Sequence, residues 1–597
     1  MLKRSGWNSA QKTARWALVA AFAVTPFIAA AQTGNAQEGS EGLVVQPRGQ
    51  VATAAVDHAV TLEALPQVSA TNTANGPKLI WGHQASQSAY LAAKTRAASG
   101  QVAGAPAAEA MSPPVQAPAP ESTSGVETPG ATVGFVGNIE TTCGGFTPAD
   151  MGLAVGDDTP SHPVLQANNS CISIFTKGGA IASGYPKSLR SFLGSGNLFL
   201  SDPRLLYDPA NRRYILVELA IDTVNNKGYE YVAVSQGDDP GGAYFIYVIP
   251  TDTANAFGDF PRVGQDHQAI YLASNIFSPI ASCLAGQSSC KYLYEQWDFL
   301  PKAQMYAGAG FSYWTIGAIG GVDTTQPANI WNPTDIPRAE FLVASKNFAA
   351  GNSGCFAGAV NGLLVWAISN PLVTNASVPP EFSEVAVATA NNYIIPQSAK
   401  QPNTSALIDT GDCRISGEVT YANGSLYAAL ATGTSAGYPG VIMYQIQPFL
   451  GKDNNTRCTG SFTNLCPDIT SATIRNEIFL LYGGGLAAYY PTQQPDPEGN
   501  VTTVLNVSGN GSFPAFGSTV YVSRRVTQPP GTLLDGGFFL AGGATTYAQG
   551  RWGDYTAVSP NFGAGPNAVW FSGMFTGSDH NWGTAVGKAG FTAINQP

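Results

Sequence analysis

The chain has 597 residues, a formal net charge of −10 and only 11% charged residues, against roughly a quarter in an average soluble domain. The length allows one large domain or several small ones. An acidic balance with no basic stripe excludes a phosphate-backbone footprint, so nucleic acid is not an expected partner.

The first elements concern export. Lys3, Arg4, Lys12 and Arg15 precede an apolar run from Trp16 to Ala31. "AFAVTPFIAAAQ" places Ala29 and Ala31 for cleavage before Gln32, which reads as a secretory signal peptide over residues 1–31. The alternative is an N-terminal membrane anchor, but the run is short and Pro26 interrupts it. Without those four basic residues the charge becomes about −14 (−10 less four). No other stretch is long and apolar enough to span a bilayer. The mature chain is therefore expected outside the cytoplasm, secreted, periplasmic or at the cell surface, with no transmembrane segment.

Residues 32–131 read as a low-complexity, mostly disordered arm. "AASGQVAGAPAAEAMSPPVQAPAPESTSG" is a Pro/Ala/Ser linker with nothing large to bury. Within the arm, "GPKLIWGHQASQSAYLAAKTRAA" has the composition of a short helix that could dock on the main domain.

From "ATVGFVGNIETTCGGF" onward the texture changes. Over residues 132–597, short apolar runs such as "YILVELAI", "YEYVAVS", "GLLVWAIS", "SLYAALA" and "AVWFSGMF" alternate with Gly, Asp, Asn and Pro turns. "SDPRLLYDPANRRYILVELA", "GDFPRVGQDHQAIYLASN", "GDCRISGEVTYANGSLYAAL" and "RWGDYTAVSPNFGAGPNAVWFSG" share one order: acidic turn, short strand, polar turn, apolar strand. A partial copy, "TPADMGLAVGDD", precedes them, and another is expected near "DITSATIRNEIFLLY". Repetition of this kind predicts an all-β propeller of six or seven blades, with seven favoured.

The eight cysteines are Cys143, Cys171, Cys283, Cys290, Cys355, Cys413, Cys458 and Cys466. An even count behind an export signal favours disulfides. Short spacing points to Cys283–Cys290 and Cys458–Cys466, with Cys143–Cys171 and Cys355–Cys413 completing a set. Eight cysteines allow about 105 connectivities. No CxxC pair or neighbouring histidine points to a metal.

Candidate site residues follow from the repeats. Asp202, Asp259, Asp412 and Asp554 sit at or near the starts of their units, with Arg204, Arg262 and Arg414 two or three residues behind the first three. In "RWGDY", Arg551 and Trp552 precede Asp554 and Tyr555. Such Asp residues can fix turns through backbone N–H bonds, and Arg forks can bridge to a neighbouring blade. The functional reading takes Asp202, Asp259, Asp266 and Asp554 as weak candidate acid–base groups at a central funnel. Arg204, Arg262, Arg414, Arg551, Trp552 and Tyr555 are then ligand contacts, and Trp570 and Trp582 aromatics at the mouth. Trp and Tyr in strands more often belong to the core. His267 reads as a surface turn residue, and neither HExxH nor GxSxG stands in a helical context. Calcium is the one metal worth entertaining, because "AVGDDTP", "SQGDDPGG" and "QPDPEGN" offer close oxygen ligands.

The ordered phrases "NNSCISIFTKGG", "SDPRLLYD", "VAVSQGDDPGGAYFIYVIP", "YYPTQQPDPEGNVTTVLNVSG" and "RWGDYTAVSP" resemble those of secreted bacterial β-propeller proteins loosely described as sialidase-like. The resemblance covers most of the chain from about residue 140 and implies an exported propeller. It does not extend to a recurrent Ser-x-Asp-x-Gly-x-x-Trp box, or to an arginine triad with a Tyr–Glu nucleophile pair. Two functions are expected to compete: a glycan- or protein-binding scaffold at or outside the cell surface, and a glycoside hydrolase using carboxylates in the funnel.

Overall fold

The computed structural model describes residues 49–68, 87–107, 109–116, 129–319, 322–345, 355, 358–453, 467–563, 565 and 567–591. The export signal, part of the arm, and Cys458 with Cys466 lie outside them. Among the described residues no helix is long and apolar enough to cross a membrane.

The architecture is all-β and built from antiparallel meanders. Their first strands are Met151–Val155, Phe199–Asp208, Phe257–Gln265, Gln326–Asn329, Val419–Ala422, Leu486–Pro495 and Ala557–Pro560. From each, the following strands pair outward in chain order. Successive first strands lie side by side, and Ala557–Pro560 returns to lie against Met151–Val155. A ring of sheets around their first strands is a propeller-type arrangement. The strands are hydrophobic on both faces because each sheet is covered on both sides. Arg213–Asp222, "RYILVELAID", is buried from Tyr214 through Ile221.

The unit starting at Ala557 is completed from the other end of the described chain. Its outermost strand is Val133–Ile139, antiparallel to Trp582–Gly590 with Val136 opposite Ala585. The Cys143–Cys171 disulfide then ties the residues after that strand to the third strand of the Met151 unit. Cys283–Cys290 and Cys355–Cys413 are also formed.

Parts of the arm join the sheets. Gly49–Ala54 pairs antiparallel with Phe311–Ile319, and Val56–Thr61 with Ala243–Pro250. Val115–Gln116 adds in parallel to Phe538–Ala541. Composition conceals these strands because an edge strand is recruited by its partner's unpaired N–H and C=O groups and needs little core of its own. The helix Gln87–Ala98 falls within the stretch read as helical and buries Tyr90, Ala93, Lys94 and Ala97 on one face.

Two unit boundaries differ from the repeat reading. A unit does begin near "DITSATIRNEIFLLY", but after it: Pro467–Leu480 is the outermost strand of the Val419 unit, and the next unit starts at Leu486. Its alternating exposure is that of an edge strand. The Gln326 unit has a first strand, "QPAN", of only four residues; Asp323 precedes left-handed Thr324 as Asp259 precedes Phe260, but no apolar strand of the repeated phrase follows directly.

The two short-range consequences of disulfide loss differ by loop length. Cys143→Ala/Cys171→Ala should lower the unfolding free energy by about 3–4 kcal/mol, and Cys283→Ala/Cys290→Ala by about 2. Denaturant titration of both double variants checks this. A smaller loss for the first pair would contradict its role in stapling the closure of the ring.

Candidate functional site

The first strands share a local device. Asp202 (φ 63), Phe260 (φ 54), Thr324 (φ 54) and Tyr490 (φ 51) all adopt left-handed backbone conformations. Three of these residues sit where the strand pairing slips. Two residues after each, a polar side chain reaches the next unit. Arg204 Nε donates to Pro261 O at 3.0 Å, Arg262 Nε to Thr325 O at 3.0 Å, Gln326 Nε2 to Ile415 O at 2.7 Å, and Thr492 Oγ1 to Thr556 O at 3.0 Å. The expected arginine bridges therefore exist, but their acceptors in the next unit are backbone carbonyls. The equivalence of Asp202 with Asp259 is off by one: Asp202 is the left-handed residue of its strand, and Phe260 takes that place in the other.

The middle of the ring is packed. Arg204 lies 3.4 Å from the centroid of the Tyr555 ring and 4.8 Å from that of Phe260, and Arg414 lies 5.2 Å from Phe260. Tyr555 Oη donates to Pro203 O at 3.0 Å. Arg262 is fully buried, paired with Glu295 and bonded to Phe260 O, which turns it away from the centre. Asp412 holds Arg414 through its backbone N at 3.0 Å and Nε at 2.7 Å.

Beside this packing, Asp150, Asp202 and Asp554 converge from three units, with one oxygen of each within 4.8 Å of the others. All three are buried. Asp150 Oδ1 accepts from Asp554 N at 2.7 Å, and Oδ2 from Asn169 Nδ2 at 2.7 Å. Asp202 Oδ1 accepts from Ser201 Oγ at 2.9 Å, and Asp554 Oδ2 from Arg551 Nη2 at 3.1 Å. Burial pushes Asp202 up to about 8, with the charges of Asp150 and Asp259 adding to the shift. Burial raises Asp259 to about 6 against the pull of Arg414 and Arg551. Asp554 is pushed well up by burial and by Asp150, and Asp150 is raised by burial against the pull of Arg551. Glu218 is fully buried, and neither of its carboxyl oxygens has a hydrogen-bond partner. Burial, then the charges of Asp202 and Asp150, push it well above the usual carboxylate range.

Other candidates lie elsewhere. Asp266 stands at the far end of its strand, where it accepts from Gln268 N, Ala269 N and Tyr271 Oη. It fixes a turn, and His267 beside it is exposed. Trp552 packs edge-on against Tyr489 and Tyr547. Trp570 donates to Asn561 Oδ1 and Trp582 to Phe146 O, both within the core. The proposed calcium turns are occupied by protein groups. Asp157 and Asp238 pair with Arg212, Asp158 with Lys177, Asp239 accepts Gly241 N, and Asp496 accepts Glu498 N and Asn500 N. The carboxylate cluster that could hold a cation is instead Asp150, Asp202 and Asp554. Asp150 lies in the "TPADMGLAVGDD" copy, directly before a first strand, and that position was its only signal. Glu218 carried none, because it sits in a second strand read as continuous core.

No protein-family model and no curated protein matches the chain. Among solved structures, two variants of an exo-β-1,3-galactanase from Phanerochaete chrysosporium, each with β-1,3-galactotriose, overlap with it. One has 12% identity and a TM-score of 0.26, covering 65% of this chain and 80% of that one. The other has 11% identity and a TM-score of 0.25, covering 76% and 96%. Superpositions at this level fix neither fold nor substrate.

A carboxyl held protonated in the folded state but ionised in the unfolded chain makes stability fall as pH rises between the two pKa values. For Asp202 that window runs from its ordinary carboxylate range to about 8. Asp202→Asn, which is always neutral, should flatten the decline between pH 5 and 8 by up to about 1.4 kcal/mol per pH unit. Urea unfolding of both proteins across that range tests it. Parallel curves would show that Asp202 is ionised in the folded protein.

Proposed function

We propose that this chain is an exported seven-bladed propeller acting on carbohydrate, with glycosidase-type acid–base chemistry at the Asp150–Asp202–Asp554 cluster. The observation that carries the reading is the convergence of three carboxyls from three units beside Arg551. Both oxygens of Asp150 accept hydrogen bonds, which favours its anion. Asp202 has one such donor and keeps its proton to about pH 8. Two carboxyls set apart by their surroundings divide into a base or nucleophile and an acid. Asp202 then protonates the leaving oxygen, and Asp150 supports the developing positive charge at the anomeric carbon or attacks it. The count of seven rests on the seven first strands, and the external location on the leader-like N-terminus and the disulfides.

Glu218 favours a second reading. Its carboxyl has no hydrogen-bond partner and feels the charges of Asp202 and Asp150, and the three clustered carboxylates supply oxygen ligands of the kind a hard divalent cation such as Ca²⁺ takes. Such an ion would organise the centre of a glycan-binding scaffold.

A hydrolysis screen over polysaccharides and aryl glycosides decides between the readings. Turnover that falls about 10²–10⁴-fold in folded Asp202→Asn and Asp150→Asn supports the acid–base assignment. Absence of turnover, with a rise in melting temperature on adding Ca²⁺ that Glu218→Gln abolishes, supports the scaffold. No turnover and no calcium response would remove both.

A further inference from the structure

The Asp150–Asp202–Asp554 cluster is buried, and the arm supplies the element nearest its exposed neighbours. Tyr90 and Lys94, one turn apart on the helix Gln87–Ala98, are 1% and 3% exposed. Tyr90 Oη donates to Asp409 Oδ1 at 2.7 Å and to Gly411 O at 3.0 Å. Lys94 Nζ bonds Thr410 Oγ1 at 2.9 Å and Pro396 O at 3.2 Å, and pairs with Asp409 at 3.0 Å. Gln397 Nε2 closes the contact on Ala97 O at 3.2 Å. The same loop leads inward. Gly411 (φ 68) packs so closely on the Tyr490 ring that a Cβ would stand 2.8 Å from it. Asp409 N bonds Gly550 O at 3.0 Å beside Arg551, whose Nη2 donates to Asp554 Oδ2 at 3.1 Å, and the charges of Asp409, Asp150 and Asp202 act on Arg551. Arg551 and Asp409 keep side-chain exposures of 18% and 21%, so they form the outer rim of an otherwise closed centre.

The helix is held by polar bonds more than by apolar burial. Among its described side chains, the buried ones apart from Tyr90 are Ala93, Ala97 and Lys94. The arm is also fixed at both sides of the helix. Before it, Val68 N bonds Pro186 O in the Met151 unit. After it, Ser435 N bonds Pro106 O in the Val419 unit, and Met111 bridges to Tyr482. The arm thus joins units that are not neighbours in the ring.

We propose that the helix Gln87–Ala98 is an intramolecular strap that closes the carboxylate centre, latched by Lys94 and Tyr90 on Asp409, and that its release admits a glycan chain. The proposal rests on reading Asp150, Asp202 and Asp554 as the functional centre. A helix anchored by a few charge-assisted bonds, with little apolar area, can open without unfolding the sheets.

The test uses the full chain and the arginine reagent phenylglyoxal, with modification of Arg551 followed by mass spectrometry and the hydrolysis screen run alongside. Lys94→Ala should speed Arg551 modification about tenfold. The milder Tyr90→Phe should act in the same direction, and Leu91→Ala on the exposed face should leave the rate unchanged. Melting curves confirm that the sheets stay folded. Unchanged Arg551 modification in both latch variants, despite faster amide exchange over residues 87–98, would overturn the strap. Faster modification without turnover in any variant would keep the strap and remove the hydrolase reading. Equal turnover in the native chain and the latch variants would keep the hydrolase and remove the strap.

Discussion

Everything at the centre of this molecule depends on how one first strand is tied to the next. Few backbone bonds do it: Gln265 with Asn329, and Ala328 and Asn329 with Val419 and Thr420, are the parallel pairings between units among the described residues. The rest is left to side chains, and Arg204, Arg262, Gln326 and Thr492 each donate into the next unit. Those donors are aimed by the left-handed residue two places earlier. A non-glycine residue in that conformation costs on the order of 1–3 kcal/mol and persists only where its surroundings over-determine it. Here the bridge, the strand-pairing slip and the packed ring do so together.

That geometry explains the acidic excess beside it. Arginines placed for bridging are committed to carbonyls: Arg262 serves Thr325 and Phe260 while also pairing with Glu295. They are only partly available to neutralise carboxylates. Asp150, Asp202, Asp554 and Glu218 therefore share a buried space with too little positive charge, and burial lifts them all above the ordinary carboxylate range. A structural role alone would be met by Asp412, whose carboxylate is engaged by its own Arg414. The contrast is between Asp412, engaged by its own arginine, and Asp202, which accepts one side-chain hydrogen bond and is raised by burial.

What could be read in advance follows from distance along the chain. The strands, the Cys283–Cys290 pair and the helix were legible because their signals are local: alternation, cysteine spacing and an alanine-rich stretch; Cys143–Cys171 and Cys355–Cys413, 28 and 58 residues apart, followed only by completing the set. The Asp/Arg phrases were legible as a repeat, yet their roles were not, since a one-residue offset between Asp202 and Asp259 decides which carboxyl faces the cluster. Trp552 illustrates the same limit, standing two residues from Asp554 but packing outward on Tyr489 and Tyr547. Glu218 and Asp409 come from a second strand and a loop that share no motif with the first strands. The arm strands were hidden for another reason, because their partners' sheet edges supply the driving force.

The arm also changes how the closed centre should be understood. A propeller whose axis were merely filled for stability would be expected to fill it with apolar side chains, since replacing a buried ionic group by hydrophobic packing is often neutral or stabilising. Tyr555 and Phe260 follow that logic. Lys94 does not: burial disfavours its charged form, offset by Asp409, by the charge of Asp412 and by two neighbouring oxygens. Asp409 is in turn held below its ordinary range, because Lys94 and Tyr90 outweigh the effect of burial. A contact that trades apolar packing for a desolvated ion pair is weaker when broken open to water than a hydrophobic plug of the same area. In the proposed strap, that weakness would let the helix yield while the bridges between first strands stay intact.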